Sequence, residues 1–300
     1  MYAILGATGH TGSIIANKLL DNGKKVRVFG RDSKKLAPLT KRGAEEITGE
    51  VTDAAALSRA FAGVDAAYVM LPPSMTSTDY RTFQDQATEA IAKALETSGV
   101  KRVVVLSSVG ADKKEKTGPV VGLNNLETRL AKIKDLSALY LRAGYFMENT
   151  LAQTEVVKNF GMLAGPVHAE LPLPLIATHD IGEFGASALL DLNFKGQQTQ
   201  ELLGPRDVTY NDIAKIVGTA IGKPALTYVQ LPGEQVMQAM MSMGMSKNVA
   251  SLICEMADAL NNGHMKALEA RSAKNTTPTT FEKFVAEAFV PAYSGKAMSA

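Results

Sequence analysis

The chain has 300 residues, 46% of them hydrophobic, and its charges nearly cancel at a net +2. That length can bury a full core as one large or two unequal domains, and the small net charge gives no global field for nucleic acid or a membrane surface. No apolar run approaches the ~20 residues that span a bilayer, and the first motif starts too early for a leader peptide, so a cytoplasmic protein is expected.

The single cysteine, Cys254, cannot form an intrachain disulfide, and its apolar neighbours Leu252, Ile253 and Met256 mark it as a buried bystander. Asn275-Thr276-Thr277 is a glycosylation sequon in pattern only. No metal site is expected.

Tyr2–Leu5 reads as a short apolar strand and residues 13–20 as a helix, so Gly6-Ala7-Thr8-Gly9-His10-Thr11-Gly12 lies in a strand-to-helix turn. Glycines spaced G-x-x-G-x-x-G suit a tight turn, a close backbone approach to a pyrophosphate, and close packing of helix on strand. The helix N-terminus adds free N–H groups and partial positive charge. Residues 25–29 form a second strand, after which Gly30 stands where an NAD-specific domain places an acidic residue. Arg31 can instead pair with a 2′-phosphate, Lys35 or Ser33 adding a contact, so NADP(H) is preferred over NAD(H). The competing reading is a solvated basic loop in which Asp32 reaches the ribose.

Strands at Glu45–Thr48, 66–71 and 103–107 then alternate with helices at Ala54–Phe61 and Tyr80–Ser98, the latter capped by Thr78 and Gly99. This alternation predicts an α/β fold built on a doubly wound parallel Rossmann sheet. Ligands in such sheets sit at the carboxyl ends of the strands, which selects Leu71-Pro72-Pro73 and Ser107-Ser108-Val109-Gly110 as cleft walls. A helix over 123–133 and a strand over 138–142 complete a domain of residues 1–150. Residues 151–300 read as a smaller α/β C-terminal lobe. It holds loops and short strands over 161–174, strands at 201–203 and 225–230, and a helix over 210–221 capped by Thr209. The helix opened by His179-Asp180-Ile181-Gly182 and ending at Asp191 is assigned back to the first domain. The stretch 234–245 carries Met237, Met240, Met241, Met243 and Met245, either as core filler or as a pliable wall of an apolar pocket. The small polar tail 291–300 is expected to fray.

Taken together, Gly6 to Gly12, Arg31, Pro72-Pro73, Ser107-Ser108-Val109-Gly110-Ala111, Leu141-Arg142-Ala143-Gly144-Tyr145-Phe146-Met147-Glu148-Asn149, His179-Asp180-Ile181-Gly182 and Asn275-Thr276-Thr277-Pro278-Thr279-Thr280 resemble the NmrA-like group of atypical short-chain dehydrogenase/reductases. The resemblance covers nearly the whole chain. It implies a dinucleotide held between a Rossmann lobe and a small C-terminal lobe. Relatives of this kind reduce quinones, azo dyes or triphenylmethane dyes, or act as redox-sensing regulators.

The sequence departs from the superfamily's proton chemistry. Of its eight tyrosines none has Lys four residues on, so the Tyr-x-x-x-Lys pair is missing. Ser107 resembles the family's serine at the end of the fifth strand. Asn124 stands where relatives carry His, with Glu127 retained; an amide donates hydrogen bonds but performs no acid–base work. The expected reaction is therefore direct hydride transfer from NADPH to a quinone, azo compound or similar planar acceptor. Asn124 or Ser107 polarises the acceptor, and Tyr145, Phe146 and Met147 line the nicotinamide pocket, so that Asn124, Ser107 and Tyr145 are the candidate catalytic residues; core packing is the competing role for Tyr145 and Phe146. Expected cofactor contacts are Gly6, Ala7, Thr8, Gly9, His10, Thr11, Gly12, Arg31, Lys35, Leu71, Pro72, Ser107 and Phe146. The alternative is a non-catalytic NADP(H) sensor acting through a protein partner.

Overall fold

The computed structural model describes residues 1–295. Six strands run through the first half: β1 (Tyr2–Leu5), β2 (Val26–Gly30), β3 (Glu45–Thr48), β4 (Ala66–Val69), β5 (Arg102–Ser108) and β6 (Ser137–Ala143). The second half adds the short β7 (Tyr145–Phe146), β8 (Leu163–Gly165) and β9 (Leu175–Ile176), then β10 (Gln197–Leu202) and β11 (Tyr228–Gln230). Seven of these form one parallel sheet in the order β10-β6-β5-β4-β1-β2-β3. The fold is thus a Rossmann-like α/β sheet with smaller sheets beside it. Strand order reverses between β1 and β4, and that reversal opens the crevice in which such folds hold ligands.

Helices cover both faces, so the central strands carry no polar side: every residue of β1 and β4 is buried. Ala3 and Leu5 face a layer made by α3 (Ala54–Phe61), α4 (Tyr80–Ser98) and α5 (Val121–Leu130), with Leu57, Ile91 and Leu126 beneath. Tyr2 and Ile4 face the opposite layer, α1 (His10–Asp21) and α7 (Thr178–Asp191), with Ile15, Leu19, Ile181 and Leu189 beneath. These last two helices touch closely, since a Cβ on Gly182 would lie 2.7 Å from the Cβ of Ile14. Lys18 pairs with Glu183 across their seam at 2.6 Å. The remaining helix of the first half, α2 (Ser33–Thr40), connects β2 to β3.

A second core, including Leu163, Val217, Leu260 and Phe289, lies among α6 (Thr154–Phe160), α8 (Tyr210–Ala220), α10 (Lys247–Asn261) and the C-terminal helical segment from Phe281, with α9 (Gly233–Ser242) outside it. One strand of this half does not stay there. β10 pairs along β6 from Gln197 opposite Ala138 to Leu202 opposite Ala143, forming the edge of the main sheet. Sequence marks only 201–203 as strand, because Gln197, Gln198 and Thr199 are exposed on an edge and carry no apolar signal.

Other ends differ for local reasons. Helix α1 starts at His10, three residues before the expected position, because Gly9 is extended and serves as its cap. Asp79, rather than Thr78, caps α4: its carboxylate accepts from the Thr82 N–H at 3.1 Å and the Thr82 hydroxyl at 2.7 Å. The start of α7 is held from a distance, Thr178 donating its N–H (2.9 Å) and hydroxyl (2.6 Å) to Glu148. The methionine-rich stretch is mixed: Met240 is buried, Met237, Met241 and Met245 are half-buried, and Met243, just past the end of α9, is 71% exposed. Cys254 is half-buried rather than buried, its thiol 3.4 Å from the Gly233 carbonyl and pushed up in pKa by burial. Asn275 is buried and its amide is committed to Ser272 and Ala270, which leaves the sequon inaccessible. The expected frayed tail begins as a helical turn at Val290–Tyr293, and residues 296–300 lie outside the described residues. No described helix is long and apolar enough to cross a membrane.

Candidate dinucleotide-binding site

The glycine loop is shaped by contacts that exclude side chains. Gly6 has φ +62°, a left-handed conformation that disfavours any Cβ, and a Cβ there would also lie 2.8 Å from the Met70 sulfur. Its carbonyl accepts from the Gly9 N–H at 2.8 Å, and the Gly9 carbonyl accepts from the Ser13 N–H at 3.0 Å. Between these bonds, the N–H groups of His10, Thr11 and Gly12 meet no backbone carbonyl among the described residues, as the start of a helix requires. A Cβ on Gly12 would lie 2.3 Å from the Gly6 carbonyl oxygen. The loop therefore presents backbone donors at the positive end of a helix, in the crevice beside β4. Thr8, Gly9 and His10 are exposed, whereas Ala7 is buried and the Thr11 hydroxyl turns inward to the Tyr68 hydroxyl at 2.8 Å. Ala7 and Thr11 can thus serve a ligand only through their backbones.

Beyond β2, Arg31 and Lys35 are both exposed. Asp32 instead caps α2, accepting from the Lys34 N–H at 2.9 Å, and Ser33 donates to Glu46 at 2.8 Å. Arg31, Lys34 and Lys35 thus all lie exposed after β2, with the acid and the hydroxyl engaged locally.

The wall after β4 is tied to the second lobe. Leu71 is buried and Pro72 half-buried. The Ser246 N–H donates to the Met75 carbonyl at 2.9 Å, and its hydroxyl to the Ser77 carbonyl at 2.5 Å. The wall after β5 turns at Gly110, φ +90°, where a Cβ would lie 2.5 Å from the Met265 side chain.

Ser107 does not face this cleft as a free donor. Its hydroxyl donates to Glu127 at 2.5 Å, and Arg142 grips the same carboxylate through two nitrogens. Glu127 raises the basicity of the guanidinium by these hydrogen bonds. The expectation that Ser107 polarises an acceptor fails because its one proton is spent inside the sheet. Asn124 is different. Half-buried, it donates one amide proton to the Ala111 carbonyl at 2.7 Å and keeps a second N–H and its carbonyl oxygen.

After β6, Gly144 passes close to the Pro174 carbonyl, and the Tyr145 N–H donates to that oxygen at 3.0 Å. Neighbouring side chains then diverge: Phe146 packs on the Rossmann layer and Tyr145 on the second core, both half-buried. Met147 is only 1% exposed, so it fills the core and does not line a pocket. The Tyr145 hydroxyl lies 3.3 Å from that of Tyr210.

The NmrA-like family profile matches residues 2–285. The chain belongs to the NmrA-like family. Over 258 residues it is 26% identical to an NAD(P)H azoreductase of Xenophilus azovorans, covering 85% of this chain and 86% of that one. Its fold is similar to that of an NADPH-dependent quinone oxidoreductase of Escherichia coli in complex with NADPH (TM-score 0.81, 22% identity, 96% of this chain and 100% of that one). It is also similar to the triphenylmethane reductase of Citrobacter sp. complexed with NADP(H) (TM-score 0.78, 19% identity, 96% and 100%).

Within this NmrA-like frame, sequence reasoning missed several participants. Met70 lies against Gly6, and Ser246 holds the β4–α4 loop from 169 positions away, a link with no local signal. Arg142 offered a signal in retrospect, being the one charge in the apolar run of β6. Tyr210, whose hydroxyl meets that of Tyr145, was given no role by sequence.

Proposed function

We propose that this NmrA-like protein is an NADPH-dependent reductase of quinones, azo compounds or similar planar acceptors. The observation that carries the reading is the glycine loop, where three unpaired N–H groups at the start of α1 follow a turn that no Cβ can enter. Exposed Arg31 and Lys35 supply charge for a 2′-phosphate, supporting the phosphorylated dinucleotide. The azoreductase relative and the two reductase-like folds favour the same class of chemistry. When bound, the reduced dinucleotide supplies a hydride. The chain itself positions the acceptor and excludes water, with Phe146 and Tyr145 as the apolar wall and the remaining Asn124 N–H as a donor to an acceptor oxygen.

The test is to mix purified protein with NADPH or NADH and a panel of quinones, azo dyes and cationic dyes, following the absorbance of the reduced cofactor. Turnover with NADPH above background on at least one class is expected. Tight dinucleotide binding with no turnover on any acceptor would replace this reading with that of a sensor.

A further inference from the structure

Three tyrosines meet beneath the cleft wall. Tyr145 and Tyr210 bring their hydroxyls to 3.3 Å, while the Tyr210 and Tyr228 rings stack at 4.4 Å. Tyr228 has its own acceptor, donating to the Val167 carbonyl at 2.7 Å. Either hydroxyl can donate in the Tyr145–Tyr210 pair. Once Tyr145 has given up its proton, the O–H of Tyr210, a residue only 7% exposed, is the one left to donate to it.

Burial pushes the Tyr145 hydroxyl up, and the bond with Tyr210 opposes that shift; burial raises Tyr210 as well. Tyr145 leaves the carboxyl end of β6, whose neighbour β5 ends one hydrogen bond away, at the Val109 N–H to the Ala143 carbonyl, 2.9 Å. That is the rim on which the acceptor must lie.

We propose that Tyr145 gives the proton that completes reduction of a quinone or azo acceptor, and that Tyr210 is a positioning residue that holds the resulting phenolate. The proposal rests on the reductase reading above. Hydride addition to a quinone leaves an anionic oxygen. The Tyr145 O–H bond breaks, its proton passes to that oxygen, and the electron pair stays on the phenol oxygen facing the Tyr210 hydroxyl. Water then returns a proton to Tyr145. The sum is quinone plus reduced dinucleotide plus one proton, giving hydroquinone and oxidised dinucleotide. This two-tyrosine cradle takes the place of Lys in the missing Tyr-x-x-x-Lys pair, offering the phenolate one neutral donor in place of a cation.

Two measurements test it. The first needs no cofactor: protein labelled with ¹³C at the tyrosine Cζ is titrated by NMR, the Tyr145 signal being assigned with Tyr145→Phe. In Tyr210→Phe the ionisation of Tyr145 should move upward by about 0.5–1 pH unit, the worth of one lost hydrogen bond. An unchanged titration overturns the cradle. The second compares a quinone, which needs a proton, with a cationic triarylmethane acceptor, which becomes neutral on taking hydride and needs none. In Tyr145→Phe the ratio of quinone to cationic-acceptor turnover should fall by roughly 10²-fold, the scale of general-acid catalysis, and in Tyr210→Phe by roughly 10-fold. Equal losses on both acceptors would show a merely structural role and overturn the proposal. Absence of turnover by the wild type on every acceptor would remove the reductase reading and the donor role with it, while the NMR titration still decides the cradle separately.

Discussion

Glu127 and Arg142 meet at two points inside the fold, Nε to Oε1 at 3.0 Å and Nη2 to Oε2 at 2.6 Å, with both side chains more than four-fifths shielded from solvent. Removing one partner of such a pair strands the other charge, at a cost of about 3–5 kcal/mol. Glu127→Ala should therefore lower the urea midpoint strongly. Ser107→Ala removes one hydrogen bond to the same carboxylate and should cost about 1 kcal/mol, with little effect on turnover. A Ser107→Ala protein that is stable yet inactive would return that serine to the reacting centre.

Gly12 has no room for a methyl group, since the Gly6 carbonyl carbon would lie 2.7 Å from it. The neighbour is backbone and cannot swing away. Gly12→Ala should shift the loop, lower thermal stability by the equivalent of about 1–3 kcal/mol, and abolish measurable dinucleotide binding by calorimetry. Retention of wild-type affinity would mean that the loop does not cradle phosphate.

Arg31 is exposed, so its loss should leave stability unchanged within about 0.5 kcal/mol. If it holds the 2′-phosphate by two charge-assisted hydrogen bonds, each worth about 1.5–3 kcal/mol, Arg31→Ala should weaken NADPH by roughly 10²-fold or more. NADH should lose little. Equal losses for both forms would identify the loop as a solvated turn.

Ser246 binds the β4–α4 loop at two carbonyls, and its hydroxyl also accepts from the Val249 N–H at 3.1 Å to cap α10. Ser246→Ala keeps the backbone bond to Met75 and loses the other two. Amide hydrogen exchange over residues 77–82 should accelerate about 5–10-fold, corresponding to about 1–1.4 kcal/mol of local stability. Uniform acceleration across the whole sheet would instead point to global destabilisation.

The Rossmann frame was legible because its parallel strands are buried on both faces and read as apolar runs, and because Gly6, Gly9 and Gly12 answer steric needs that no other residue meets. Strand β10 escaped since an edge strand needs no apolar face, and Gln197, Gln198 and Gln200 satisfy pairing without one. The starts of α1 and α4 were misplaced by local caps, Gly9 and Asp79, whereas contacts made from afar left no mark at all: Glu148 reaches Thr178, and Asp180 accepts from Thr279 at 2.7 Å. The same limit governs the site. Residue type made Ser107 a plausible donor, but only the fold shows that Glu127 takes its proton. Nothing in the spacing of Tyr145 and Tyr210 announces that they converge.

The late arrival of α7 and β10 has a consequence for synthesis. The residues that would meet the dinucleotide phosphates leave the ribosome among the first 35, yet the helix that packs on α1 ends at Asp191 and the strand that shields β6 ends at Leu202. A nascent chain halted after residue 150 exposes the inner faces of α1 and β6 to solvent. The glycine loop is thus made first, and the helix and strand that pack against α1 and β6 are made only after residue 177.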